Sequence, residues 1–345
     1  MPIKQIKHTN WLLALLASSL MAIIFLAVSV GVAPLSFRQI IAILLDGSGF
    51  SSSIEFSPQQ AVILLDLRLP RVLLGAFVGA GLGISGAAIQ GVFRNPLAEP
   101  SLIGVSAGAA LAAAFVMVVT TDLVATHVWL LPIAAFLGGG LVTWLVYQIA
   151  GRSNTATIGT LLLAGIAINA MAGAGLGLLS YLADAQQLRS LIFWMLGSLD
   201  AANWSSLGFT TLFVVVAVYG LIRLARPLNI FSLGEAEAGH LGLNPAGLKK
   251  QIVVLVALAV GASVAVAGII GFIGLVVPHL VRLIAGPDHR LLLPASALLG
   301  AILLVLADLA ARLIIAPAEL PIGILTALLG APFFLFLLLR QRRGL

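Results

Sequence analysis

LLDLRLPRVLLGAFVGAGLGISGAAIQ, residues 64–90, decides how this chain is read. Beyond Arg71 it runs apolar and small for about 20 residues, enough for a helix to cross a hydrocarbon core of about 30 Å. Three charges, Asp66, Arg68 and Arg71, stand at its mouth, with the two arginines about one helical turn apart. Gly75, Gly79 and Gly83 recur every fourth residue and leave one helix face as bare backbone. The first reading of that face is close packing against a neighbouring helix; the alternative is a smooth wall lining a conduit.

The rest of the chain has the same character. Its 345 residues are 61% hydrophobic and 9% charged, with a mean hydropathy of +1.16, whereas about a quarter of a soluble domain is charged. The fold class predicted is an all-α polytopic membrane protein, a single transmembrane domain over residues 1–345. About ten spans are expected, near 11–32, 69–91, 101–119, 128–150, 158–182, 205–225, 247–268, 270–285, 291–312 and 320–340. The first has a basic start like a signal peptide, but its apolar run exceeds the about 7–15 residues of such a segment, so it reads as an uncleaved helix. SFRQIIAILLDG, at 36–47, reads as a short amphipathic surface helix. No cysteine is present, which excludes disulfides and thiolate metal sites.

The pI near 10.3 is explained by membrane topology rather than by nucleic acid. With the amino terminus inside and alternating spans, the inner side collects Lys4, Lys7, Arg94, Arg152, Arg223, Arg226, Lys249, Lys250, Arg282, Arg290, Arg340, Arg342 and Arg343. The outer side receives Arg38, Arg68, Arg71, Arg189 and Arg312. That asymmetry places both termini in the cytoplasm and makes the outer arginines exceptions that need a reason. The lysines are Lys4, Lys7, Lys249 and Lys250, none of them in a GxxxxGK[ST] loop, so the chain carries no P-loop ATPase.

The most informative inner stretch is NIFSLGEAEAGHLGLNPAGLKK, residues 229–250. Ser232 and Glu235 have capping-box spacing and are expected to start a short helix. Gly239 is expected to end it, Gly242 to permit a turn, and Asn244-Pro245 to cap the next helix. The product is a helical knob, read either as an ordinary structured loop or as a coupling element gripped by another protein. A faint echo links ISGAAIQGVFRNPL (84–97) and VAGIIGFIGLVVPHL (266–280), as an inverted repeat would.

Six ordered blocks carry a specific resemblance: residues 67–111, LLLAGIAINA (161–170), FWMLGSL (193–199), SLGEAEAGHLGLNP (232–245), residues 266–301 and residues 306–338. Together they resemble the FecCD-type permeases, the membrane subunits of ATP-binding cassette importers for iron–siderophores, haem and vitamin B12. The resemblance implies a ten-helix type II importer fold like that of the vitamin B12 permeases, in a homodimer in the bacterial inner membrane. It implies no catalysis and no cofactor in this chain. ATP and Mg belong to two ATPase subunits, which bind the loop at about 229–246, through Ser232, Leu233, Gly234, Glu235, Gly239, His240, Leu241 and Gly242. Arg68, Arg71 and Arg312 match arginines that meet carboxylates of a periplasmic binding protein, which gives the charges at the mouth a docking role. The alternatives are arginines snorkelling to headgroups, with Asp66 neutralising Arg68 and Asp308 pairing with Arg312 one turn on.

Residues 181–204 resemble the haem permeases, so haem is the expected cargo; a ferric siderophore or cobalamin is the alternative. Arg189 is a candidate for attracting propionates or the binding protein, and equally a solvated helix residue. Gly173, Gly175 and Gly177 are expected in a weakly binding path, and Glu319 either shapes the outer mouth or caps a helix before Pro321. His279 reads as packed rather than as a haem ligand, and Asp288 with His289 as a capped inner turn; no metal site is expected. The rival readings are an ion-coupled transporter, with Asp308 as its carboxylate, and a membrane enzyme, for which no HExxH motif is found.

Overall fold

The computed structural model of the chain describes residues 2–31, 35–47, 54–120, 127–151 and 158–342. Arg152 and Arg343, assigned above to the inner side, lie outside the described residues. In chain order the helices are α1 (Pro2–Ser29), α2 (Phe37–Asp46), α3 (Pro58–Val62), α4 (Leu69–Phe93), α5 (Val105–Val119), α6 (Leu130–Gly151), α7 (Ile158–Leu182), α8 (Ala185–Met195), α9 (Trp204–Arg223), α10 (Ala225–Phe231), α11 (Glu235–His240), α12 (Pro245–Ala267), α13 (Ile273–Ala285), α14 (His289–Ile314) and α15 (Ile322–Arg342). Among the described residues 7 helices are long and apolar enough to cross a membrane, with α3 and α4 forming one of them, and α5, α13 and α15 are shorter apolar helices. Each of the expected stretches is occupied by one of these.

Pro70 shapes the entry to α4. A proline this close to a preceding helix has no N–H to give and its ring crowds the carbonyl four residues back. The chain relieves this with a wide π turn over Ile63–Arg68, in which the Leu69 N–H reaches Leu64 O. The turn swings Arg68 inward, where it is buried, and leaves Asp66 exposed.

From Val72 onward α4 is the buried pillar of the molecule, packed by α9, α12, α13 and α14. Its glycines are the reason for that closeness. Gly79 lies on the main chain of Gly300, Gly83 on the Ser296 carbonyl and Gly86 on the Gly274 carbonyl, so a methyl group at any of them would strike backbone. The four-residue repeat therefore serves packing, not a conduit.

A second, smaller core joins α1, α2, the start of α4 and α14 through Ala27, Val28, Ile40, Ile43, Val72 and Val305. The amphipathic helix expected at 36–47 is α2. Ser36 and Gln39 cap it reciprocally, and Ile40, Ala42 and Ile43 are buried while Phe37 and Leu44 are exposed.

Two spans are broken. At 1.5 Å per residue α5 is about 22 Å long and α13 about 20 Å, both short of the hydrocarbon core. Each begins at a left-handed residue, Gly104 (φ 88°) for α5 and Phe272 (φ 67°) for α13. Irregular backbone of this kind is tolerated within a membrane where protein buries it. Here the two breaks cover each other, with Pro100 Cδ at 3.3 Å from where a Gly274 side chain would start.

Candidate functional site

The functional features lie at opposite ends of α9. Trp204 at its first turn donates Nε1–H to Leu65 O at 3.0 Å, beside the arginines. Arg223 at its last turn leads through α10 into the knob. A helix of about 30 Å separates the two faces.

On the arginine face the sequence-predicted residues come together, but most of their charge is spent inside the chain. Arg68, 7% exposed, donates Nη1–H to Val28 O at 3.0 Å and to Ser29 O at 3.2 Å. Arg312 donates Nη2–H to Ala27 O at 3.3 Å. These are last-turn carbonyls of α1, which lack helical partners and carry the negative end of its dipole. Two guanidiniums from elsewhere in the chain thus cap the first helix, and Gly31 makes room for that of Arg68.

Arg71 is the hub. Its Nε–H donates to Asp308 Oδ1 at 2.9 Å, and Nη2 contacts Asp308 at 2.8 Å, Glu319 at 2.8 Å and Asp200 at 3.1 Å. Asp308 Oδ2 lies 3.0 Å from Arg312 Nε, a charge contact whose angle falls outside hydrogen-bond geometry. The pairing of Asp308 with Arg312 is therefore present, with Arg71 added to it. Arg71 and Arg312 thus meet the carboxylates of Asp308, Asp200 and Glu319. The outward rim of the cluster is acidic: the Asp200 and Glu319 side chains are 59% and 36% exposed. Burial raises the Glu319 carboxyl, and a hydrogen bond shared with Asp200 raises it further. Asp200, despite burial, is held below the usual carboxylate range by hydrogen bonds from Glu319 and Ser198 and by the Arg71 charge. Glu319 serves Arg71 rather than capping α15.

The knob differs from its expected capping. Ser232 does not cap α11; its hydroxyl turns back to Asn229 O at 2.6 Å. The N-cap is Gly234, at φ 139°, and Glu235 reaches Lys249 Nζ at 2.7 Å instead of the helix start. A buried ammonium, 1% exposed, is the stronger partner for a carboxylate than a backbone amide that water can serve. Gly239 does not end α11 either. The helix runs to His240, and Gly242 at φ 83° supplies the left-handed stop, with the Gly242 N–H on Gly239 O and the Leu243 N–H on Ala238 O. Asn244 caps α12 as expected, accepting from the Gly247 N–H at 2.9 Å. The finished knob presents Leu233 and Leu241, 65% and 63% exposed, together with Gly239, His240 and Gly242. The Lys249–Glu235 bridge ties α11 to the first turns of α12.

Beside the knob lies a cavity of about 560 Å³, walled by Gln90, Arg94, Asn229, Arg282, Asp288 and His289 among others. Asp288 caps α14 through the Arg290 N–H at 2.9 Å, and Asn229 bridges Asp288 and His289. This is the capped turn expected of Asp288 and His289. His279 packs edge-on against Phe333 and Phe334 of α15 at 6.2 and 6.4 Å.

Glu99, which sequence reasoning missed, joins the two broken spans. Its carboxylate accepts the Ser101 hydroxyl at 3.2 Å and a hydrogen bond from the Phe272 amide at the start of α13, while Asn169 Nδ2 of α7 holds Ser101 O at 3.1 Å. A carboxylate set between prolines in NPLAEP was the available signal. The remaining predicted residues stand apart. Arg189 is exposed on α8 with its guanidinium 5.8 Å from the Phe193 ring centre. Gly173 and Gly177 face open space on α7, and Gly175 faces Leu111. Among the described residues no group of three or more His, Cys, Asp or Glu is arranged to hold a metal.

Known proteins resemble this chain over most of its length. Residues 19–340 match the FecCD transport family. The hemin transport system permease protein HmuU of Yersinia pestis is 48% identical over 286 residues, 81% of this chain and 84% of its own. The cobalamin import system permease protein BtuC of Halobacterium salinarum is 42% identical, covering 84% of this chain and 77% of its own. The vitamin B12 import system permease protein BtuC of Escherichia coli O9:H4 is 41% identical over 84% of this chain and 87% of its own. A solved metal-chelate type ABC transporter in an inward-facing conformation superposes with a TM-score of 0.84 at 33% identity, covering 96% of this chain and 99% of that one. The apolar helices of the described residues, the broken pair among them, and the match over almost the whole chain lead to one conclusion: the protein belongs to the FecCD transport family and is the permease subunit of an ABC importer.

Proposed function

We propose that the chain imports haem across the bacterial inner membrane, as one half of a homodimer with both termini and the knob in the cytoplasm. Two ATPase subunits grip the knobs and a periplasmic binding protein docks on the arginine face. The observation that carries the drive from below is the knob itself: two exposed leucines flanking a short helix that an ion pair ties to α12. A force on α11 passes through Glu235 and Lys249 into α12, which packs on the pillar α4. Nucleotide-dependent contacts of the ATPases then bias the two access states, as a ligand-driven shift requires. The dimer reading is supported by α7, whose open glycines at 173 and 177 let a second backbone approach closely.

Haem as cargo is supported by the higher identity to the hemin permease, 48% against 41–42% for the cobalamin permeases. The test is competition among haem, a hydroxamate siderophore and cobalamin for ATP-driven uptake by the reconstituted complex. Haem should dominate; uptake of cobalamin or the siderophore in its place overturns the haem reading.

On the knob, Gly239 has open space around it. Gly239→Ala should therefore be silent, whereas Gly239→Trp should abolish ATPase association by at least about tenfold with the fold intact, read by co-purification. Glu235→Ala should cost about 1–2 kcal/mol, less than the about 3–5 of a fully buried pair because Glu235 is 40% exposed. It should let ATP hydrolysis proceed with uptake reduced.

Docking at the arginine face is proposed through Arg71, with Arg68 and Arg312 holding α1 beside it. A carboxylate of the binding protein must displace Asp200 or Glu319 from Arg71 Nη2. The double variant Asp200→Asn, Glu319→Gln removes that competition and should tighten binding-protein association about fivefold, mainly through a faster on-rate that salt suppresses. Unchanged or weaker association in a titration at low salt removes Arg71 as the docking group.

A further inference from the structure

The face formed by α6 and α12 carries a groove of about 500 Å³ outside both regions described above. Phe136 rests on Gly261, and alternation of the spans makes α6 antiparallel to α12. Moving about 12 residues along each helix from that contact, or about 18 Å, brings Gln148 level with Lys249 and Lys250 at the knob side. The groove therefore runs from the knob-side surface to about the bilayer midplane, the depth of one leaflet.

Its chemistry is graded along that length. At the knob-side end stand Lys250, exposed, with Gln148, Tyr147 and Trp144; amphipathic aromatics and a cation are the side chains that sit at headgroup level. Lys249 turns inward to Glu235, whereas Lys250 faces outward. Toward the midplane the walls are Leu137, Leu141, Val254 and Leu258. The floor is open at Gly140, where nothing stands within 4 Å of the missing side chain. Among the described residues no carboxylate lines the groove, so none of them compensates the Lys250 charge there. A cation at the surface end of an apolar furrow one leaflet deep complements a molecule with a phosphate head and an acyl tail.

We propose that this groove holds an anionic phospholipid of the knob-side leaflet, its phosphate on Lys250 and one acyl chain laid over Gly140. The occupied site lies against the first turns of α12, where Lys249 receives the knob. The proposal is independent of which cargo the importer carries.

Native mass spectrometry of the full purified chain tests it, with phosphatidylglycerol and phosphatidylcholine of matched acyl chains as probes. Wild type should retain phosphatidylglycerol over phosphatidylcholine by about fivefold, the effect of one lysine near an anionic headgroup. Lys250→Gln, at an exposed position, should erase the preference, and Gly140→Leu should weaken both lipids by filling the floor. An undiminished preference in Lys250→Gln, unchanged retention in Gly140→Leu, or release of the lipid by millimolar inorganic phosphate alone would overturn the assignment, the last by marking a simple ion site.

Discussion

Asp308→Ala is expected to destabilise the protein by about 3–5 kcal/mol, the range for breaking a buried ion pair by removing one partner. The Asp308 side chain is 2% exposed and is held between Arg71 and Arg312, whose side chains are 12% and 9% exposed. Its removal leaves two guanidiniums beside each other with Asp200 and Glu319 reaching only Arg71. Repulsion then falls on Arg312, whose second contact is the end of α1 at Ala27. Loss of α1 docking should therefore accompany the drop in thermal stability in detergent, read as new protease sensitivity between α1 and α2. Asp308→Ala with Arg312→Met should recover part of the loss, because the uncompensated charge goes with the arginine. A single variant as stable as wild type would show that the cluster does not hold this face together.

Gly79→Leu should have an effect as large. In α4 the missing side chain at Gly79 points at the Gly300 backbone of α14, and Gly300 points back at Gly79. Overpacking a core costs about 1–3 kcal/mol where side chains can yield. Main chain cannot yield without moving a helix, so the leucine should exceed that range and abolish the monodisperse protein in size-exclusion chromatography. Gly79→Ala should already reach the upper end of that range, because the methyl group meets the same Gly300 main chain. Gly173→Leu, on α7 where nothing stands within 4 Å, is the control: it should leave the monomer fold unchanged and act on pairing or transport. A well-folded Gly79→Leu protein would mean that α4 and α14 are not in contact.

The spans were legible because hydropathy is a local signal, written within each run of about 20 residues. So was α2, an amphipathic run whose buried Ile40 and Ile43 share one face. The knob shows where local reading stops. Ser232 and Glu235 have capping-box spacing, yet Glu235 is taken by Lys249, a buried ammonium on the next helix. Gly239 and Gly242 both permit a helix stop, and what distinguishes them is the Leu243 amide reaching back to Ala238. On the arginine face, the partners of Arg68 and Arg312 are carbonyls of α1, 40 and 285 residues away in sequence. A charge pattern cannot reveal a partner that is a backbone oxygen of another helix. Glu99 escaped for the same reason, since its significance comes from the Phe272 amide far along the chain.

The proposed function requires a passage driven from outside the chain through the knob. Liposomes carrying the purified permease, with and without its ATPase subunits, measure this directly when loaded with ATP and given haem-charged binding protein outside. Uptake should require the ATPase and internal ATP, and Gly239→Trp should abolish it while the permease remains folded. Uptake by the permease alone, or uptake that follows a proton gradient and ignores ATP, would contradict the account.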